Sequence, residues 1–294
     1  MPASAKIAVL GATGRLGAAL VRRYSAMHEV IPLGRSDLDL FNLAQIEARL
    51  SGLSFDVLIN AAGVTDVDRC ETHPDEARAS NATAPELIAQ ICHRRGAKFV
   101  HVSTDYVFSG EDQKPKHETD AAQPANVYGR TKLEGEQLVM AACPDALILR
   151  ISWLFGLDKD SFPDRIIKTA LASDHVAAVS DKWSSPTYAE DLAGWLLPFL
   201  SDKKDCSGLM HLCNSGWASW QEYGQEALDI AAGLGLALRT RKVEPLSMKG
   251  FPEFKATRPP FTVLATDRFQ SVTGIKPRSW QDALTAYIQA KYVR

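Results

Sequence analysis

Ile7-Ala8-Val9-Leu10-Gly11-Ala12-Thr13-Gly14-Arg15-Leu16-Gly17 is the stretch that decides the fold. Its short apolar run, closed by a glycine, reads as a strand buried on both faces. The glycine turn follows, and an amphipathic stretch then runs through Tyr24 as a helix. Strand, glycine turn and helix are the context in which Gly-x-x-Gly-x-x-Gly binds a dinucleotide. Gly11 permits the tight turn, Gly14 lets backbone approach a pyrophosphate, and Gly17 lets helix and strand pack closely. The helix N-terminus then offers unpaired N–H groups and a positive dipole end to the phosphates. Thr13, Arg15 and Leu16, in the same turn and helix start, join the glycines as expected cofactor contacts. A glycine-rich turn without a ligand is the alternative.

The same alternation continues outward. Val30 to Leu33 and Val57-Leu58-Ile59 read as buried strands, and Pro85 to Arg95 as a helix with Leu87, Ile88 and Ile91 at helical spacing. Phe99 to Ser103 is a strand, Tyr128 to Ala142 a helix, and Ala146 to Ile151 a strand again. This predicts an α/β chain with a Rossmann-type, doubly wound parallel sheet and right-handed crossovers. From about residue 155 the pattern loosens. Helical stretches at Phe162 to Ala172, Trp220 to Leu234 and Trp280 to Tyr292 are separated by loops carrying Ser184-Ser185-Pro186-Thr187 and Arg258-Pro259-Pro260. A smaller mixed α/β C-terminal substrate domain at the carboxyl edge of the sheet is expected. With the helix from Ala189 to Leu200 returning to the first domain, the expected division is discontinuous: 1–154 plus about 176–200 for the nucleotide, and about 155–175 plus 201–294 for the substrate.

Composition narrows the class. The 294 residues allow one or two domains, and 46% hydrophobic content with 23% charge suits a globular chain with a sizeable core. A net charge of −2 argues against nucleic acid, and Arg22-Arg23, Arg94-Arg95 and Lys203-Lys204 are isolated pairs, not a basic stripe. No apolar run approaches the ~20 residues of a membrane span. Met1 to Lys6 leads into a strand and not a signal-peptide core. The 5 cysteines (70, 92, 143, 206 and 213) include no Cys-x-x-Cys and read as reduced thiols of a cytoplasmic protein. The 7 scattered histidines make no zinc pattern, so no metal residue is assigned.

After the second strand, an acidic residue would accept from the ribose 2′-OH of NADH. Gly34-Arg35-Ser36 stands there, and Arg35 suits a 2′-phosphate, favouring NADPH; nearby Asp37 and Asp39 keep NADH open. Asn60-Ala61-Ala62-Gly63 follows a strand with residues small enough to pass a flat cofactor, and Asn60 can tie strand ends together. Thr65 to Glu71 lies at the same sheet edge, to touch substrate or to cap the next helix through Asp66 or Asp68. Ser103-Thr104-Asp105-Tyr106 ends a strand there, and one hydroxyl can polarise a carbonyl. Alternation turns Ser103 and Thr104 to opposite faces and does not choose between them. Tyr128 and Lys132, four apart on a helix, share a face. A neighbouring ammonium lowers a phenol from its ordinary pKa of about 10, giving a general acid near neutral pH.

These motifs together resemble the extended short-chain dehydrogenases/reductases. Within them the chain resembles the dTDP-4-dehydrorhamnose reductases. The matches are Thr65-x-Val67-Asp68-x-x-Glu71, Ser103-Thr104-Asp105-Tyr106-Val107-Phe108, Tyr128-Gly129-Arg130-Thr131-Lys132-Leu133-Glu134-Gly135-Glu136, Leu149 to Gly156, Ser185-Pro186-Thr187 and Arg258-Pro259-Pro260. The resemblance implies hydride transfer from NADPH to the C4 ketone of a dTDP-sugar. It makes Thr104 the catalytic hydroxyl, Tyr128 the proton donor, and Lys132 the residue that lowers the Tyr128 pKa and holds the nicotinamide ribose. Val67, Asp105, Tyr106 and Trp153 match positions around the sugar, and Arg258 is placed to reach substrate phosphate, with a salt bridge as the alternative. The family allows a homodimer, in some members with Mg²⁺ at its interface, but no compact carboxylate cluster here carries the metal over. Lys182-Trp183-Ser184 departs from the family's usual glutamine, aromatic and glycine, which puts local substrate-loop detail in doubt.

Two rivals share the motifs. Nucleotide-sugar 4,6-dehydratases and epimerases share the fold and motifs, but dehydratases typically need an Asp-Glu pair after the threonine, and here Tyr106 follows Asp105. A non-catalytic NADP-binding subunit, like the regulatory one of methionine adenosyltransferase, does not require the intact Thr104, Tyr128 and Lys132.

Overall fold

A computed structural model describes residues 4–200, 207–250 and 254–293; Lys203-Lys204 and Cys206 lie outside them. In chain order the first half runs β1 (Lys6–Leu10), α1 (Arg15–Tyr24), β2 (Glu29–Leu33), α2 (Leu43–Ser51), β3 (Val57–Asn60), α3 (Val67–Thr72), α4 (Pro74–Arg78), α5 (Ala84–Arg95), β4 (Lys98–Thr104), α6 (Val127–Ala142) and β5 (Leu147–Ile151). The second half runs β6 (Leu154–Phe155), α7 (Phe162–Ala172), β7 (Ala177–Val179), β8 (Trp183–Ser184), β9 (Thr187–Tyr188), α8 (Ala189–Trp195), β10 (Gly208–His211), β11 (Ala218–Ser219), α9 (Trp220–Gly233), β12 (Glu244–Leu246), β13 (Phe261–Thr262), α10 (Asp267–Thr273) and α11 (Trp280–Tyr292).

Six strands form the central sheet in the order β10-β5-β4-β3-β1-β2, every pair parallel. Alternation along β1 sends Ile7 and Val9 to one face, with Leu20, Leu149 and Leu192, and Ala8 and Leu10 to the other, with Ile46, Ile88 and Phe99. Both faces are therefore covered, which is why these strands read as unbroken apolar runs. The chain leaves β1 to one side for β2 and returns to the other for β3. That reversal opens the crevice where ligands of doubly wound sheets bind.

A third core joins α7, α9 and α11 through Ile167, Tyr223, Leu228, Trp280, Leu284 and Tyr287, with the short pairs β7–β12 and β6–β9 beside it. The packing departs from the sequence expectation in two places. Gly208–His211, expected in the smaller unit, pairs with β5 as the sixth sheet strand, and Phe269 of α10 packs in the same core. Val176 and Ala178, expected with the nucleotide half, pack instead in the third core. Gly208-Leu209-Met210-His211 is too short and unpatterned to declare its partner; the exposed edge of β5 supplies one.

Candidate active site

A cavity of about 740 Å³ opens along the carboxyl ends of β1–β5. Its floor is the glycine turn. Gly11 has φ +75°, and a Cβ there would lie 2.9 Å from the Ala61 carbonyl oxygen, so the turn needs glycine. Gly17 does not line the cavity. A Cβ on it would sit 2.0 Å from the Gly11 oxygen, so it seats α1 against the turn. Gly14 caps α1 without a side-chain hydrogen bond, and the first turn holds no acidic residue. The positive end of α1 is thus left for an anion, and Gly11, Thr13, Gly14, Arg15 and Leu16 line the wall around it. These features fit the pyrophosphate of a dinucleotide.

At the ribose end, Arg35 lines the cavity with its guanidinium 5.7 Å from the centre of the Phe41 ring. Asp37 Oδ2 is turned inward to accept from the Gly34 N–H (2.8 Å), while Asp39 lines the cavity. Ala61 and Ala62 line it too. Asn60 does not: it is fully buried, and its Oδ1 accepts from the Ala62 N–H at 3.0 Å. It shapes the wall from behind.

The two hydroxyls at the end of β4 separate by their partners. Ser103 Oγ donates to Glu136 Oε1 (2.5 Å), a carboxylate that also pairs with buried Arg150. Thr104 Oγ1 accepts from the Tyr106 N–H (3.2 Å), donates to Asp105 Oδ1 (3.1 Å), and shares a hydrogen bond with Tyr128. The Tyr106 ring packs edge-on against Tyr128 with centroids 5.6 Å apart. Thr104, Asp105, Tyr106, Tyr128 and Lys132 all line the cavity.

Lys132 corrects an expectation. Its ammonium donates to the Val102 carbonyl (2.7 Å) and faces His101 Nε2 at 3.4 Å. Burial raises the Tyr128 phenol above its ordinary value, the Thr104 hydrogen bond working against it, and Lys132 is not among the groups that shift it. Sharing a helix face puts two side chains on one side of the helix; it does not bring their tips together. Burial lowers Lys132 itself to about 8, with Glu136 opposing.

Further along, Asp66 caps α3, accepting from the Asp68 and Arg69 N–H groups (3.1 and 3.0 Å), and Val67 lines the cavity. Asp68 instead meets Arg258, Nη2 to Oδ2 2.7 Å, so the ion pair occupies the guanidinium, and Arg258 does not line the cavity. Trp153 has φ +36°, a strained backbone for a residue with a side chain, and its indole packs 4.7 Å from Tyr223 at the border with the third core.

Three participants escaped the sequence patterns. Buried Asn81 brackets Val64, its Oδ1 accepting from the N–H and its Nδ2 donating to the carbonyl, both at 3.0 Å. Lys159 reaches the cavity from the loop before α7. His101 stands inside buried β4, where a histidine among apolar neighbours was itself the available signal. Asn60 Nδ2 meets His101 Nδ1 at 3.2 Å, and Lys132 Nζ stands 3.4 Å from Nε2, so the ring is held between the amide and the ammonium. Burial, then Lys132, hold His101 well below its ordinary pKa. Among the described residues, no three His, Cys, Asp or Glu side chains gather to hold a metal ion, and no helix is long and apolar enough to cross a membrane.

Residues 5–293 match the family model described as the RmlD substrate binding domain. The chain is 33% identical over 287 residues to the spore coat polysaccharide biosynthesis protein SpsK of Bacillus subtilis, covering 97% of this chain and 98% of that protein. It is 33% identical over 271 residues to the dTDP-4-dehydrorhamnose reductase of Salmonella typhimurium, covering 90% of each. The solved dTDP-4-dehydrorhamnose reductase of Bacillus anthracis in complex with NADP matches with a TM-score of 0.91 at 27% identity, over 98% of this chain and 99% of that one. With its matching sequence and fold, the chain belongs to the RmlD family of dTDP-4-dehydrorhamnose reductases, NAD(P)-dependent oxidoreductases.

Proposed function

We propose that the protein reduces the C4 ketone of dTDP-4-dehydrorhamnose to give dTDP-L-rhamnose, with NADPH as the preferred cofactor. The observation that carries this is one continuous cavity joining the glycine turn of α1 to Thr104 and Tyr128. NADPH bound along that cavity supplies the hydride. The α1 N-terminus with Thr13 and Arg15 holds the pyrophosphate, and Arg35 pairs with the 2′-phosphate, a contact a plain 2′-OH cannot repay.

Tyr128 gives its proton to the oxygen of the former ketone as the C–H bond forms at C4. Its raised pKa keeps the phenol protonated until that negative charge develops. Thr104 has one proton, which Asp105 holds in the free protein; to polarise the ketone the hydroxyl must turn about its C–O bond. Lys132, charged below about pH 8, holds the nicotinamide ribose and places positive charge near the reacting centre. The sugar lies between Val67, Tyr106 and Trp153, with the unit built on α7, α9 and α11 closing that side.

Purified protein with NADPH and the 4-keto-6-deoxy nucleotide sugar should oxidise one cofactor per ketone. Given dTDP-glucose it should not accumulate a 4-keto product, because Tyr106 stands where elimination needs a second carboxyl group. Tight NADPH binding without turnover, coupled to altered kinetics of a partner enzyme, would replace this reading with a regulatory one.

A further inference from the structure

Lys182 is the anomaly of the site. It is 1% exposed, on the strand side of the substrate loop, and the reduction as derived above does not use it. Its ammonium donates to the Pro259 carbonyl (2.9 Å) and to Ser184 Oγ (3.4 Å), and stands 5.0 Å from the centre of the Tyr106 ring. Ser184 Oγ meets Thr262 Oγ1 at 3.0 Å, and the Thr262 hydroxyl works to lower the Asp105 pKa. Asp105 also takes Ser152 Oγ at 2.7 Å and Thr104 Oγ1 at 3.1 Å, and Thr104 reaches Tyr128. Lys182, Ser184, Thr262, Asp105 and Thr104 are each buried, so a row of polar groups shielded from water runs from an ammonium towards the proton donor.

The directions at Asp105 follow from counting protons. An ammonium only donates, and each hydroxyl has one proton to give. Ser184 accepts from Lys182 and shares a hydrogen bond with Thr262, in which either hydroxyl can be the donor. Ser152 receives the Ser185 N–H (3.3 Å) and also donates to Asp105. Thr104 gives its proton to Asp105 and can only accept from Tyr128. Two hydroxyls, Ser152 on Oδ2 and Thr104 on Oδ1, thus converge on Asp105, an arrangement that suits a carboxylate, whose oxygens only accept. A buried carboxylate without a counter-charge would take up a proton. The charged groups acting on it, beyond the tyrosines and Cys213 nearby, are Lys182 and, behind Lys182, Arg258.

We propose that Lys182 is a positioning residue of the reduction: its ammonium keeps Asp105 a carboxylate, and that carboxylate sets which way the Thr104 and Tyr128 hydroxyls point. This rests on the reductase reading given above. Burial pushes Asp105 up, and Lys182 is the first group that pulls it back. Loss of the ammonium removes the main group opposing burial, so Asp105 rises further and, once protonated, no longer fixes both hydroxyls as donors.

The test uses the full chain with Lys182→Gln, which keeps length and donors and removes the charge, and Lys182→Gln/Asp105→Asn, which removes both charges. In kcat against pH, Lys182→Gln should gain an acid limb at least one unit above that of the wild type. Below the limb the loss should be on the order of tenfold, the size of one hydrogen bond's contribution. NADPH binding should be unchanged, and the double variant should lose the limb. A second arm follows thermal unfolding with pH and needs no turnover. An Asp105 whose folded pKa lies above the ordinary ~3.9 binds more protons folded than unfolded, so the Tm deficit of Lys182→Gln should widen from pH 4 to pH 7. It should narrow again in the double variant. Profiles of Lys182→Gln that superimpose on the wild type in both arms overturn the proposal. A widening deficit with an unmoved kcat profile also overturns it, leaving Lys182 a purely structural counter-ion. If the wild type turns over no keto-sugar, the reductase reading falls, and the unfolding arm still decides whether Lys182 holds Asp105 ionised.

Discussion

Asp68 and Arg258, far apart in the chain, form a clasp next to Val67 of the cavity wall. Arg258 Nη2 lies 2.7 Å from Asp68 Oδ2, and Asp68 Oδ1 accepts the Lys255 and Ala256 N–H groups, both at 3.0 Å. Burial works to raise the Asp68 pKa, but the Ala256 and Arg258 hydrogen bonds outweigh it and hold the carboxyl low. The Arg258 side chain is 9% exposed, and its guanidinium is spent on this pair and does not line the cavity.

Arg258→Ala and Asp68→Ala should therefore lower Tm by similar amounts, and the double variant should be non-additive by about 0.5–3 kcal/mol, the range of coupled neighbours. A rise in substrate KM for Arg258→Ala, absent from Asp68→Ala, would show instead that the guanidinium reaches substrate phosphate.

Tyr128→Phe keeps the ring against Tyr106 and deletes the donated proton. A loss of roughly 10²–10⁴ in kcat is expected of a general acid, with NADPH affinity little changed in a fluorescence titration. Near-normal turnover would remove Tyr128 from the chemistry.

Arg35→Ala should weaken NADPH on the order of 1.5–3 kcal/mol, the range for a charge-assisted hydrogen bond, and leave NADH almost untouched. Equal losses for both cofactors would mean that Arg35 only supports the turn beside Phe41.

The Lys132 value of about 8 makes a two-sided pH prediction. If the charged form is needed, kcat/KM of the free enzyme falls as pH rises through about 8. Stability moves the other way. The folded value lies below the ordinary ~10.4, so between the two the unfolded chain binds more protons, and this group's contribution to stability grows with pH. Lys132→Met should slow turnover and abolish both trends; a basic limb that survives it belongs to another group.

Much of the sheet was legible in the chain because burial on both faces leaves an unmistakable mark. The runs at Ile7–Leu10 and Val57–Ile59 are apolar throughout, and the glycines at 11 and 17 answer contacts of 2.9 and 2.0 Å that allow nothing larger. The residue types at Thr104, Tyr128 and Lys132 were legible too, since their spacing places them at one sheet edge. Which atoms they meet was decided by the fold. Helical periodicity fixes a face to within a turn, but whether an ammonium bonds Val102 or a neighbouring phenol depends on a few ångströms set by β4. Ser103 and Thr104 are both hydroxyls in sequence and differ only because Glu136 waits on one side and Asp105 on the other. The sixth strand at Gly208–His211 has no pattern of its own, and the sheet edge it joins assigned it. Contacts such as Asp68 with Arg258, Lys182 with the Pro259 carbonyl, or Ser184 with Thr262 leave no periodic trace in the chain. They join segments whose separation in sequence carries no signal, and only packing brings those side chains within reach.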